Sequence, residues 1–334
     1  MNKIIFATIV LMGLHSSAAN KSTYKRAPDI KIGGQGGWDY ITIDEDGERL
    51  FMSHAEKVDV VDLNTHKIIG MIPDTKGVHG IAIADDLKKG FTSNGQDNSV
   101  TVFELKTLTP ISKISVGKNP DAILYVKDVA KVFVFNGKSN SMSVIDAKTL
   151  TVSAPIELPG KPEFSVYDPQ LKAVFVNIED RNLLVKIDAK SNKVLSQYPL
   201  KGCESPSGLA INKAKSELFS VCENNVMVMT SGRDGKILST VHIGSGPDGV
   251  VFDANRNLAI SANGEGTLTV AQVEKNSMKV ISTVPSEVGA RTIALNTKTQ
   301  RLYLPTAQLE PLKKGEHRPR PVAGTYKLLV FEQE

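Results

Sequence analysis

Val116-Gly117-Lys118-Asn119-Pro120-Asp121-Ala122-Ile123-Leu124-Tyr125 and Ile243-Gly244-Ser245-Gly246-Pro247-Asp248-Gly249-Val250-Val251-Phe252 are two copies of one unit. After each comes a turn, then a short apolar run closing on Asn136 or Asn263, then an alternating run such as Ser141-Met142-Ser143-Val144-Ile145-Asp146. Working outward, seven such units succeed one another at a spacing of about 40 to 44 residues, the period of a propeller blade made of short strands. A single blade cannot bury both of its faces, so the units must stack into one body. The expectation is an all-β, seven-bladed β-propeller of four-stranded antiparallel blades, forming one domain over residues 20–334.

The units align on the pair that opens each first strand, here strand a. These pairs are Trp38-Asp39, Val78-His79, Pro120-Asp121, Pro162-Glu163, Pro206-Ser207, Pro247-Asp248 and Ala290-Arg291. Apolar alternation follows (Ile41 and Ile43, Ile81 and Ile83, Leu209 and Ile211, Ile293 and Leu295), the period-2 signature of a strand. Strand b is short and apolar and ends at a second column: His54, Asn94, Asn136, Asn177, Cys222, Asn263 and Thr306. The seventh unit has strands a, b and c and then stops. Pro28-Asp29-Ile30-Lys31-Ile32-Gly33, ahead of the first strand a, reads as its missing strand d, which closes the ring and removes an exposed edge.

The N-terminus reads differently. Lys3 precedes the apolar stretch Ile4 to Leu14, which is too short to span a bilayer, and Ser17-Ala18-Ala19 is a small-residue cleavage pattern. Residues 1–19 are therefore expected to be a signal peptide cut after Ala19, with a soluble, monomeric product in the periplasm or outside the cell and no membrane span. Lys plus Arg number 40 and Asp plus Glu 36, a formal charge of +4, too nearly balanced to signal nucleic-acid binding by itself. The two cysteines, Cys203 and Cys222, both fall in the fifth unit. In an oxidising compartment a disulfide is the first reading; a metal site with the adjoining Glu204 and Glu223 is the alternative.

The openings and repeat bodies resemble the YVTN propeller repeats of bacterial surface and periplasmic proteins, and the chain over 28–334 resembles the YncE-like branch. The resemblance is carried by Gly117 to Asp121, Gly244 to Asp248, Phe135-Asn136-Gly137, Ala262-Asn263-Gly264 and Val144-Ile145-Asp146-Ala147-Lys148-Thr149. It implies the fold and, for some relatives, single-stranded DNA binding. Trp38-Asp39, Val78-His79 and Ala290-Arg291 depart from the Pro-Asp opening and mark where a specific site is to be sought.

In a propeller the first strands line the central channel, so both columns are expected at one mouth. The inner column offers Asp39, Asp121, Glu163 and Asp248, with His79, Ser207 and Arg291 between them. Three readings follow. These groups cap strand starts and neutralise one another, with Arg291 between Asp248 and Asp39; or they bind a small ligand or a protein partner; or Asp39, His79 and Asp121 hold a divalent metal ion, as in a metal-assisted lactonase-like or lyase-like enzyme. His54, in the second column of the adjacent blade, is counted with His79 among the ligand-binding candidates at the mouth. Trp38, the one tryptophan, follows Gly33-Gly34-Gln35-Gly36-Gly37 and is either an aromatic platform at the mouth or packed beneath the glycine loop. Nothing resembles a Gly-x-Ser-x-Gly elbow, a phosphate loop, or HxxxH or CxxC spacing. The b–c connection of the seventh unit expands to residues 307–325 and carries Lys313, Lys314, His317, Arg318 and Arg320. It is a solvated flap, a basic lid over an anionic ligand, or the source of DNA affinity.

Overall fold

The computed structural model describes residues 24–44, 46–312 and 319–334. The expected signal peptide and four of the loop's basic residues, Lys313, Lys314, His317 and Arg318, lie outside them. The described residues form seven four-stranded sheets, each joined in a-b-c-d order by antiparallel pairing. Blade three is representative: strand a (Pro120–Val126), b (Lys131–Asn136), c (Ser141–Asp146) and a very short d (Ile156–Glu157). Pro155 and Pro159 flank that last strand and lack the N–H a longer ladder would need.

Seven apolar clusters hold the ring, one for each contact between neighbouring blades. The centres of six b strands supply large members of these clusters: Phe51, Phe91, Phe133, Phe175, Phe219 and Tyr303 are all fully buried. Each such side chain contributes about 1.5–3 kcal/mol through burial. The stability of any blade therefore rests on its two neighbours.

Closure is made by Tyr24–Lys31, which pairs antiparallel with strand c of blade seven (Lys327–Gln333), from Tyr24 opposite Gln333 to Lys31 opposite Lys327. The strand thus begins four residues before the expected Pro28 and ends at Lys31. Tyr24 explains the extension: it is 1% exposed, packed in the cluster between blades six and seven, with the Arg256 guanidinium 4.5 Å from its ring centroid. Ion pairs fasten the same edge: Lys327 reaches Asp29 at 3.0 Å and Glu287 at 2.8 Å, and Arg26 pairs with both carboxylates. Strand a of blade seven is shorter than its alternation suggests, covering only Ala294–Asn296. Gly289 adopts φ +86° and its carbonyl accepts the Arg291 N–H at 2.9 Å, so the chain turns where the other blades are already extended.

Candidate functional site at the channel mouth

The opening of strand a faces the end of strand b in every blade whose opening is paired: Trp38 opposite His54, Val78 opposite Asn94, Pro120 opposite Asn136, Pro162 opposite Ile178, Pro206 opposite Cys222, Pro247 opposite Asn263. Blade four corrects the alignment by one residue, since Ile178 rather than Asn177 holds the column. Asn177 instead donates to the carbonyls of Ser207 and Gly208 in the next blade.

Immediately after each of these openings the register shifts, a β-bulge in all six blades. Asp39, His79, Asp121, Glu163, Ser207 and Asp248 all sit in that bulge. A bulge breaks the alternation of side chains and re-aims them. Its consequence is clearest at Tyr40, which strict alternation would turn away from Asp39. Its hydroxyl lies 3.5 Å from Glu163 Oε2 and its ring meets Phe164 edge-on at 5.1 Å. Blades one and four are not neighbours, so this contact spans the channel.

Around the ring the charges divide into local sets. His79 Nδ1 lies 2.5 Å from Asp39 Oδ2 and 3.8 Å from Asp121 Oδ1. Glu163 has Lys161 Nζ at 2.6 Å, and Lys161 also bonds Glu179. Asp248 has Arg291 Nε at 2.7 Å. Ser207 donates its hydroxyl to the Pro247 carbonyl at 3.1 Å. Burial of Asp121 raises its carboxyl to about 7, against the pull of His79 and with a push from Asp39. Burial also raises Glu163, reinforced by the Asp121 charge, to about 9. For His79 burial acts downward, but the Asp39 hydrogen bond and the Asp121 and Asp39 charges outweigh it and lift the imidazole to about 9. Tyr40, buried among these carboxylates, is driven well above the ordinary phenol value. Tyr40, Lys161 and Glu179 were absent from the sequence reading. Only Lys161, in Lys161-Pro162-Glu163, has a signal there, and it is a weak one.

His54 is not in this ring. It is fully buried, its Nδ1 is 2.7 Å from Asp59 Oδ2, and its ring lies 4.3 Å from that of Tyr326. The same slot in other blades holds Asn94 bonded to Ser99 and Thr101, Asn136 bonded to Ser141 and Ser143, and Asn263 bonded to Thr267 and Thr269. Each clamp ties the end of strand b to strand c of its own blade. Blade five uses the slot differently: Cys222 is disulfide-bonded to Cys203, which leaves neither thiol for a metal site with Glu204 and Glu223.

Trp38 is packed on one side and borders open space on the other. It is 8% exposed, stacked on Tyr326 at 5.5 Å, and it lines a cavity of about 580 Å³. Leu309 and Pro321 supply further apolar wall, and Ser207, Asp248 and Arg291 the polar groups. Glu179 and Glu223 also line it. The Arg291 guanidinium carbon lies 6.0 Å from the Trp38 ring centroid, near the outer limit for a cation–π contact. Both legs of the 307–325 connection contribute because they pair: Leu309 bridges Pro321, Glu310 donates to the Arg320 carbonyl, and Val322 to that of Gln308. The connection is therefore anchored beside the mouth. Asp39, His79 and Asp121 are brought together; Trp38, Ser207, Asp248 and Arg291 form a second group facing the cavity; His54 joins neither. No helix among the described residues is long and apolar enough to cross a membrane.

No family model and no curated protein matches this chain. Solved structures do. U3-55K and the WD40 repeats of RRP9 each superpose with a TM-score of 0.77 at 9% identity, covering 91% of this chain and 97% and 96% of theirs. The hydrazine synthase of Kuenenia stuttgartiensis superposes with a TM-score of 0.71 at 18% identity, over 81% of this chain and 92% of its own. At such identities the likeness is one of fold alone, that of a β-propeller.

Proposed function

We propose that this propeller is an exported, monomeric binding protein whose channel face takes up a small organic ligand. The observation that carries the reading is the cavity bounded by Trp38, Leu309 and Pro321 and bearing the Arg291–Asp248 pair. Its size is that of an ordinary small-molecule site, with apolar walls for affinity and a few fixed polar groups for orientation. Arg291 and Asp248 favour a ligand with both an acceptor and a donor. Export is supported by Lys3, the apolar stretch Ile4 to Leu14 and Ser17-Ala18-Ala19, together with a disulfide of the kind that persists in oxidising compartments. The YVTN-like repeat bodies agree with this setting.

Trp38 makes the test direct, because it is the only tryptophan and lines the cavity. Chromatographic fractions of low-molecular-mass envelope extract are titrated against its fluorescence. At least one fraction should shift or quench the emission of the native protein but not of a cavity-filling Ser207→Phe variant. If no fraction alters the emission, or both proteins respond alike, the reading is wrong. N-terminal sequencing of the cell-purified protein should begin at Asn20; a retained Met1 would remove the export half of the proposal.

A further inference from the structure

We propose that Asp39, His79 and Asp121 bind one divalent transition-metal ion at the channel mouth. They occupy the same bulge position in three consecutive blades, and one ligand atom from each lies within 4.8 Å of the others. Tetrahedral ligands at about 2.0–2.1 Å from a zinc ion stand roughly 3.3 Å apart, so small side-chain rotations suffice to surround an ion. Nδ1 of His79 already faces both carboxylates.

The second observation is Asp121 itself. The residue is 9% exposed, and its Oδ1 accepts no hydrogen bond from any described residue although it points at His79. A buried carboxylate oxygen without a donor is costly, and a bound cation is one arrangement that satisfies it. The neighbouring carboxylates differ in kind. Glu163 and Asp248 each face a lysine or arginine, whose charge is permanent, whereas Asp39 and Asp121 share one imidazole. An imidazole exchanges its proton for a metal ion on the same nitrogen lone pair far more readily near neutral pH than a lysine ammonium or an arginine guanidinium does.

The scaffold holds these groups in place through their backbones. The Asp39 N–H donates to Ser53 Oγ at 2.8 Å, and the Asp39 carbonyl accepts from Thr292 Oγ1 at 2.7 Å. Ser93 Oγ accepts the Gly80 N–H beside His79 and donates to the Asp121 carbonyl. Main-chain positions fixed in this way leave the side chains free to close on an ion without refolding. One imidazole nitrogen with two carboxylate oxygens suits zinc, manganese, iron or cobalt better than calcium, which takes six to eight oxygens. Three protein ligands also leave a coordination position for water or a ligand.

The experiment uses tag-free mature protein stripped with EDTA and dialysed, then titrated calorimetrically with zinc chloride and, separately, calcium chloride. One zinc ion per chain is expected, with affinity weakened roughly 100-fold or more in both His79→Ala and Asp121→Asn, since even outer-shell changes typically cost 10–100-fold. Substitution of the exposed His242 by Ala should leave the titration unchanged. Cobalt loading should give a visible ligand-field spectrum that requires His79. Metal-free melting of each variant confirms folding; should His79→Ala fail to fold, the near-isosteric Asp121→Asn decides. Absence of stoichiometric zinc binding, binding that survives both substitutions unchanged, or binding of calcium in preference to zinc would each overturn the proposal.

Discussion

Two histidine–aspartate pairs involve blade one, one within it and one bridging it to blade two, and they do different things. His54 and Asp59 meet at 2.7 Å with side chains 0% and 2% exposed; His79 and Asp39 meet at 2.5 Å with 28% and 20%. The contact chemistry is the same. The first pair fills a slot that other blades fill with Asn and Ser or Thr, and it serves the integrity of one blade. The second projects from a bulge into the channel, where a second carboxylate, Asp121, shares the imidazole. A residue type and its partner therefore do not decide the role; the register position does.

If fold and site are separable in this way, the largest effects belong to blade-building segments. Removing residues 24–34 takes away strand d of blade seven, its ion pairs and Tyr24. Calorimetry should then show the cooperative native transition lost or far below that of the intact chain, and equal melting would refute closure by this strand. Next is His54→Ala. It strips the buried Asp59 carboxylate of one of its two partners and opens a void beneath Tyr326, a change worth about 2–4 kcal/mol. Pairing His54→Asn with Asp59→Thr installs the clamp of blade two and should recover most of that loss in urea denaturation. A cost of His54→Ala no greater than that of His79→Ala would erase the distinction between the two pairs.

The propeller was legible because the blade period, the strand alternation and the Pro-Asp openings recur at offsets that survive without an alignment. The inner column was legible for the same reason. The role of His54 was hidden by turn length. Asn94 pairs with Ser99 and also reaches Thr101, seven residues on, and Asn136 does the same with Ser141 and Ser143. The tighter hairpin of blade one pairs His54 with Lys57, so the position equivalent to Thr101 and Ser143 is Asp59, only five residues after His54. The slot is therefore common in space and shifted in sequence. Asn177 was misplaced for a related reason, because Ile178 and Asn177 are both buried and only the pairing register separates them. Tyr40 was missed because a bulge is invisible to a period-2 reading: it adds one residue that no side-chain pattern announces.

The smallest effect, and the one that sharpens the comparison most, is expected at Asp121. In the blade-building pair every atom of Asp59 that meets a partner is needed: Oδ2 takes His54 and Oδ1 takes Lys57 at 2.6 Å. Asp121 Oδ1 has no such donor while being buried. Folding must therefore desolvate a carboxylate there with incomplete compensation. Asp121→Asn keeps the shape and removes that penalty, so the metal-free variant should be as stable as the native protein at neutral pH or more stable by up to about 1 kcal/mol. Asp59→Asn, the matched change in the other pair, should instead destabilise by about 2 kcal/mol or more, because it takes a charge from a satisfied buried network. Urea denaturation of the two variants side by side reads this opposition of sign. A loss of stability at Asp121 as large as at Asp59 would mean that the channel carboxylate builds the fold after all, and that the two histidine–aspartate pairs are one device used twice.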